Sequence, residues 1–530
     1  MADDEEKKSI LFKLKPIIEK WPSVKKPDTH VHFKQKMAWT FGILGLYYFL
    51  VNIYIFGLGD TMDMFSQYRA IMAGASGSLM HLGIGPIVTG SIIMQLFTGA
   101  KIISLDLTKP EDKAIYQGTQ KILVVVMIFV EAIPQVYGYL QPADSFVAGL
   151  NVAIPGWGSG IAKTLIVLQL AIGSYLVFLM DELVSKWGIG SGISMFIAAG
   201  VAEATFTGLV NWEAVSSAEK MSVSNPPAGL FPKTFYLFTE LSMAQMNTGG
   251  FEVLFLRQPN PMIALVGTVI VFIIVAYTES SRIELPLTHA KVRGYRGRYP
   301  IRLIYASNIP VILMSALLAN INMFSLLLWS HPTLSKIPLI GHKKWIGEFP
   351  EPDSIYYQHS STKPINGFAY YVSQINGVGE WLLPLWDFDT YGRYLYGRTY
   401  WEVFLHLVVY MGIMLLGSMM FAKFWIETTN MGSEDIAKQI ENSGMQIPGF
   451  RRDPRVLKKV LDRYIPAVTL FSGAFVGLLA AGADLIGTIG NTSGTGVLLA
   501  VGIFIKMYED IGKEQMMEMH PMLRSFFGGE

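Results

Sequence analysis

The stretch LGIGPIVTGSIIMQLFTG, residues 82–99, decides how many times this chain crosses a membrane. It is shorter than the about 20 apolar residues a helix needs to traverse a hydrocarbon core. It also holds Pro86 and the glycines Gly83, Gly85, Gly90 and Gly99. Such residues are tolerated in a span whose backbone is covered by neighbouring helices, and on that ground it is read as a span. Nine other stretches qualify on apolar length: 37–58, 121–140, 161–181, 193–210, 260–279, 303–328, 401–425, 464–487 and 493–510. The total of ten divides into five and five. Because five is odd, a duplicated half re-enters the membrane with opposite topology. No residue-level self-similarity between the halves stands out, so the inverted repeat rests on topology alone.

Composition agrees with a membrane class. Of 530 residues 51% are apolar and only 16% charged, with mean hydropathy +0.37, against about a quarter charged in a soluble protein. A net charge of +1 gives no overall polyanion-binding signature. With no cysteine, disulfides, thiolate metal sites and cysteine nucleophiles are excluded. The N-terminus, MADDEEKK, lacks the basic and apolar regions of a cleavable signal peptide. Lysine and arginine set the orientation. Loop 281–302 carries six of them, and loop 427–463 carries Lys438, Arg451, Arg452, Arg455, Lys458, Lys459 and Arg463. With ten spans both loops and both termini share one side, which is therefore cytoplasmic.

The chain divides as follows. Residues 1–36 form a cytoplasmic N-terminal segment, in which SILFKLKPIIEKW (9–21) has the spacing of a surface-lying amphipathic helix interrupted at Pro16. Residues 37–210 make the first half, 211–259 an extracellular loop, 260–510 the second half with a further extracellular loop at 329–400, and 511–530 a cytoplasmic tail. Between the first two spans, GDTMDMFSQYRAIMAGASGSLMH (59–81) is helix-compatible yet too polar to span. It fits equally a half-helix folded into a cavity and an extracellular loop.

Enzyme-like strings fail on context. Gly57-Leu58-Gly59-Asp60 matches the GxGD string of intramembrane aspartyl proteases, but such chemistry needs two facing carboxylates and no second aspartate stands in a suitable span. His30-Val31-His32 lacks a nearby carboxylate and reads as loop. Gly188, Gly190 and Gly192 lead into a span without a βαβ pattern. No catalytic, cofactor-binding or metal residue is assigned. Glu131, Gln169 and Asn320 lie deep in apolar helices, where an unpaired polar group is costly, so each is expected to face a helix seam or water.

Four ordered stretches carry a resemblance. LGIGPIVTGSIIMQLFTGAKII (82–103), GIGSGISMFIAAG (188–200), YPIRLIYASNIPVILMSALLANI (299–321) and RYIPAVTLFSGAFVGLLAAGADLIGTIGNTSGTGVLLAV (463–501) resemble the second, fifth, seventh and ninth-to-tenth spans of the SecY family. Their wording is closer to the archaeal and eukaryotic translocon α-subunit branch than to the bacterial one, and the resemblance runs from about residue 15 to about residue 520.

What the resemblance implies is a central hourglass pore that opens across the membrane and sideways into lipid. Its apolar ring would comprise Ile84, Val88, Ile193, Ile197, Ile312 and Leu499. A constriction of this kind blocks hydrated ions by dewetting. Segment 60–80 would be the plug, with Met64, Tyr68, Arg69, Ile71 and Met72, and the lateral gate would hold His81, Glu131 and Asn320. The family has a small polar residue where His81 stands, and a solvated imidazole is the expectation there. Lys291, Arg293, Arg451 and Arg452 would contact the ribosome, since cations on protruding loops suit RNA phosphates. Implied partners are SecE-like and small beta or SecG-like subunits, signal sequences and nascent polypeptides, the signal-recognition-particle receptor and membrane lipid. The expected location is the cell membrane, with several passes and both termini cytoplasmic. A secondary transporter with inverted repeats is the competing reading, but it should present carboxylates at the midplane, where this sequence offers Glu131 alone.

Overall fold

The computed structural model describes residues 10–519 apart from 30, 60–71, 100–101, 104, 106–108, 216–219, 224, 290–295, 307, 331–333, 339, 351–362, 388, 390–391, 396, 430, 443–444 and 447–453. Each expected span is a helix: α1 (Phe33–Val51), α2 (Gly85–Gly99), α3 (Pro110–Gly138), α4 (Gly158–Trp187), α5 (Gly192–Val210), α6 (Met262–Ser280), α7 (Ile309–Ser330), α8 (Tyr400–Thr428), α9 (Pro454–Ile486) and α10 (Gly494–Met519). Seven stretches of the described residues, those of α3 to α9, are long and apolar enough to cross a membrane on their own. The other three have visible reasons for falling short. Lys34 and Lys36 sit in the first turn of α1, α2 is 15 residues long, and the second half of α10 carries Lys506, Glu509, Asp510, Lys513 and Glu514.

The helices pack in the same order in both halves. α2 lies on α3 as α7 lies on α8; α3 on α4 as α8 on α9; α4 on α5 as α9 on α10; and α1 touches α4 and α5 as α6 touches α9 and α10. The two halves thus repeat one packing order. The halves meet along two seams, α5 against α10 on one side, and α2 with α3 against α7 and α8 on the other. Glycine explains how a short α2 fits. A Cβ at Gly90 would stand 3.2 Å from Val124 N, so any other residue would push the α2 and α3 backbones a few tenths of an ångström apart.

Outside the spans, the two basic loops are not irregular. β1 (Arg282–His289) and β2 (Arg296–Arg302) form an antiparallel hairpin, and β3 (Met445–Gln446) adds to β1 through Thr288↔Gln446 and His289↔Met445. The N-terminal segment is helical over Ile10–Leu14 and Lys15–Lys20. Pro16 starts the helix Lys15–Lys20 rather than interrupting it, because proline's missing N–H is unneeded in a first helical turn. Ile18 then packs on Gly118 of α3. The Glu182 carboxylate ties this strap to the bundle, accepting from Val24 N (3.0 Å), Lys121 and Lys186. In loop 211–259, Lys233 is fully buried and donates to the carbonyls of Arg257 (3.0 Å) and Pro259 (3.1 Å). Burial pushes its ammonium down to about 8, with the Arg257 charge adding to the effect.

Candidate pore and lateral gate

The aliphatic residues expected at a constriction come from four helices of both halves. Ile84, Val88, Ile197, Ile312 and Leu499 are buried in one contiguous apolar core, and Ile193 is half-buried against it. Local bonds fix where each begins. Ile84 N donates to Met72 O at 2.8 Å, tying the entry of α2 to the segment before it. Ile193 N donates to Asp181 Oδ1 (2.8 Å), and the Thr495 N–H donates to Asp484 Oδ1 (3.0 Å) one turn before Leu499.

The segment 72–84 threads between the helices. Tyr47 Oη donates to Ala73 O at 2.8 Å, and Leu79 N donates to Ile53 O at 2.7 Å. Gly83 has φ +54°, and a Cβ there would collide with Met72 O, so the sharp turn into α2 requires glycine. Of the plug residues named from sequence, Met72 is described, with its Sδ 3.6 Å from where a Gly85 Cβ would stand. Met64, Tyr68, Arg69 and Ile71 lie outside the described residues.

The polar residues assemble on the seam between α2–α3 and α7. Asn320 Nδ2 of α7 donates to Thr89 Oγ1 of α2 at 2.8 Å. Thr89 Oγ1 lies 2.9 Å from Glu131 Oε1 of α3 and also 2.9 Å from Gly85 O, so its one proton serves one or both of these acceptors. Glu131 and Asn320 therefore meet through Thr89, a residue that sequence reasoning missed. All three are buried. A turn further along α3, Gln135 Nε2 donates to Met323 Sδ of α7 at 3.4 Å, a second bond across the same seam.

His81 corrects the expectation of a solvated imidazole, being only 1% exposed. Its Nδ1 accepts from Gly77 N at 3.0 Å, so the proton sits on Nε2. That N–H faces Gln135 Oε1 at 3.1 Å and Tyr139 Oη at 3.3 Å. The histidine is thus a neutral link from the segment before α2 to α3. Gln169, also singled out from sequence, clamps a backbone rather than another helix: its Oε1 accepts from Phe56 N (2.9 Å) and its Nε2 donates to Phe56 O (3.1 Å).

At the basic end, β3 pairs beside the β1–β2 turn, so the two cationic loops leave the bundle from one small sheet. Lys291 and Arg293 fall between β1 and β2 in sequence, and Arg451 and Arg452 come after β3; all four lie outside the described residues. At the base of the hairpin Arg282 stands directly opposite Arg302. Like charges so placed repel, and Glu509 of α10 bridges them, with Oε1 3.1 Å from Arg282 Nη2 and Oε2 bonded to Arg302 Nη2.

A helical bundle that crosses the membrane repeatedly, built of two halves of like packing that meet along two seams, one of them hydrogen-bonded through buried polar groups, has the build of a membrane channel. Residues 78–508 match the SecY family, and residues 46–77 match the plug domain of Sec61p. The protein translocase subunit SecY of Archaeoglobus fulgidus is 43% identical over 524 residues, covering 98% of this chain and 99% of that one. A solved structure described as a protein-conducting channel superposes with TM-score 0.72 at 35% identity, covering 96% of this chain and 98% of the other. Sec61 from the canine ribosome–channel complex of the endoplasmic reticulum superposes with TM-score 0.70 at 35% identity and the same coverage. The chain belongs to the SecY family.

Proposed function

We propose that this chain is the pore-forming subunit of a protein-conducting channel. Unfolded secretory polypeptides pass through its centre, and transmembrane segments leave sideways between α2–α3 and α7. The observation that carries the reading is the Thr89 bridge, in which a buried hydroxyl on α2 joins Glu131 of α3 to Asn320 of α7 on the α2–α3/α7 seam between the halves. Such a seam has to be closed by bonds strong enough to seal and weak enough to release. Intramembrane hydrogen bonds, at about 1–2 kcal/mol or less, have that strength. Ile84, Val88, Ile193, Ile197, Ile312 and Leu499 form the seal, and residues 60–80 the plug beneath it.

The orientation follows from the basic loops, with both termini cytoplasmic. SecE-like and small beta or SecG-like subunits complete the complex, and signal sequences enter at the gate. Its motor is a translating ribosome, docked on the tips of loops 281–302 and 427–463, with the signal-recognition-particle receptor delivering it. The pairing of β1 with β3 supports a single docking platform built from both loops.

Reversing the charge at Arg293 or Arg451 is expected to weaken ribosome binding and to flatten its dependence on salt, since a phosphate that is no longer neutralised releases no counterion and takes about one unit from the salt slope. Binding of ribosomes to the reconstituted complex across a salt series checks this. Unchanged affinity and slope in both variants would remove the platform assignment. A transporter reading finds less support, because the polar groups on the seam bond one another rather than leaving a site between them.

A further inference from the structure

The two helices that start beside the constriction, α5 and α10, begin in the same way in three respects. In the first half, Asp181 near the end of α4 accepts the Ile193 N–H at 2.8 Å; in the second, Asp484 near the end of α9 accepts the Thr495 N–H at 3.0 Å. Glycine stands at the first residue of each helix for one reason. A Cβ at Gly192 would lie 2.6 Å from Asp181 Cα, and a Cβ at Gly494 would strike the backbone of Ala483 and Asp484. The linker before each helix is held by a threonine of the first helix in its half. Ile189 N donates to Thr40 Oγ1 of α1 (3.0 Å), and Ile489 N donates to Thr268 Oγ1 of α6 (3.2 Å).

These pairs expose a repeat in the sequence. GIGSGISMFIAAG (188–200) laid on GNTSGTGVLLAVG (490–502) matches Gly188 with Gly490, Ser191 with Ser493, Gly192 with Gly494, Ala198 with Ala500 and Gly200 with Gly502. The same alignment sets Ile197 opposite Leu499, so each half contributes an aliphatic residue at the equivalent height above its capped helix start.

We infer that Asp181 and Asp484 are paired positioning residues, each fixing how far its pore helix extends toward the centre and thereby the height of Ile197 and Leu499. A carboxylate is suited to this, because it accepts from N–H groups that the first turn of a helix leaves unpaired. Asp484 carries the larger share of bonds. It also accepts from Thr495 Oγ1 (2.9 Å), Tyr410 Oη (2.6 Å) and Gln374 Nε2 (2.8 Å), while Gly377 N donates to its carbonyl at 2.8 Å. Loop 329–400 is thus anchored to the start of α10. The inference rests on the channel reading only for the identity of the ring residues.

Because the chain has no cysteine, the test is a crosslinking register. Ile197→Cys is paired in turn with a cysteine at each position from 498 to 502, in the purified complex in lipid vesicles, and the partner giving the highest disulfide yield is found. The ring reading expects that maximum at 499. Asp181→Ala and Asp484→Ala are each expected to move the maximum to another position, with Asp181→Asn restoring it because an amide oxygen still caps. Thr40→Val and Thr268→Val should move the maximum in the same direction as the alanine variants, and they serve if an alanine variant fails to assemble. A role in stability alone would lower yields everywhere without moving the maximum. An unmoved maximum in the alanine variants, or in both valine variants where those stand in, overturns the inference. A maximum away from 499 in the parent protein counts against the ring and leaves the shift readable.

Discussion

Complexes carrying Ile312→Asn together with Leu499→Asn are expected to leak ions in planar bilayers far above the parent level. Removing residues 62–76 as well should raise the leak further. The cause is the seal itself. On the proposed reading, a throat lined by Ile84, Val88, Ile193, Ile197, Ile312 and Leu499 would hold no water, and an ion would have to shed its shell to enter. Both substituted residues are buried in the apolar core of the structure, Leu499 with no exposed surface and Ile312 at 7%. An amide at either place brings water with it, because a buried polar group without a partner is costly. Each ~1.4 kcal/mol removed from the barrier multiplies the conductance by about ten, so a modest degree of wetting is readily visible. Conductance equal to the parent's, even without residues 62–76, would mean that the constriction lies elsewhere.

The gate should respond to single side chains. Asn320→Leu and Thr89→Val each remove the bond that crosses the seam, whereas Glu131→Leu removes the partner that holds Thr89 from within the α2–α3 side. Asn320→Leu and Thr89→Val are each expected to favour the open seam by about 1–2 kcal/mol, which is roughly a 5- to 30-fold change in the open-to-closed ratio, and Glu131→Leu by less, because it only loosens the orientation of Thr89. Because Thr89 is the shared partner, combining Asn320→Leu with Thr89→Val should add little to Thr89→Val alone. Translocation of a substrate with a weakened signal sequence reports the shift, since a gate biased open accepts poorer signals. Variants that discriminate against weak signals as strongly as the parent would separate this cluster from gating.

The spans are legible because apolar runs leave little choice. Even α2, short and glycine-rich, reads as a span once its glycines are taken as points of close approach, and Gly90 against Val124 is such a point. Thr89 is not legible. A threonine in a span ordinarily bonds its own i−4 carbonyl, as Thr89 does with Gly85, and nothing local distinguishes one that also joins two other helices. His81 misleads for a related reason: beside a polar segment it has the look of a solvated residue, and its burial depends on Gly77, Gln135 and Tyr139, which only the fold brings round it. The hairpin does have a sequence signal. Ile283, Leu285 and Leu287 alternate with polar or proline residues, the period of a strand, but the density of charge in the loop masks it. The repeat at 188–200 and 490–502 is also present in the letters, but the shared bonds of Asp181 and Asp484 are needed to tell it from ordinary Gly- and Ala-rich helix starts.

Locking the seam tests the whole account most directly. Asn320 and Thr89 are hydrogen-bonded across it, Nδ2 to Oγ1 at 2.8 Å, so Thr89→Cys with Asn320→Cys can be joined by a disulfide in a chain that has no other cysteine. The measurement is translocation of a secretory polypeptide into vesicles containing the purified complex, before oxidation, after it and after reduction. The oxidised complex is expected to lose translocation and membrane insertion together, and reduction should restore both. Full translocation and insertion through a complex shown to be quantitatively crosslinked would contradict a gate between α2–α3 and α7.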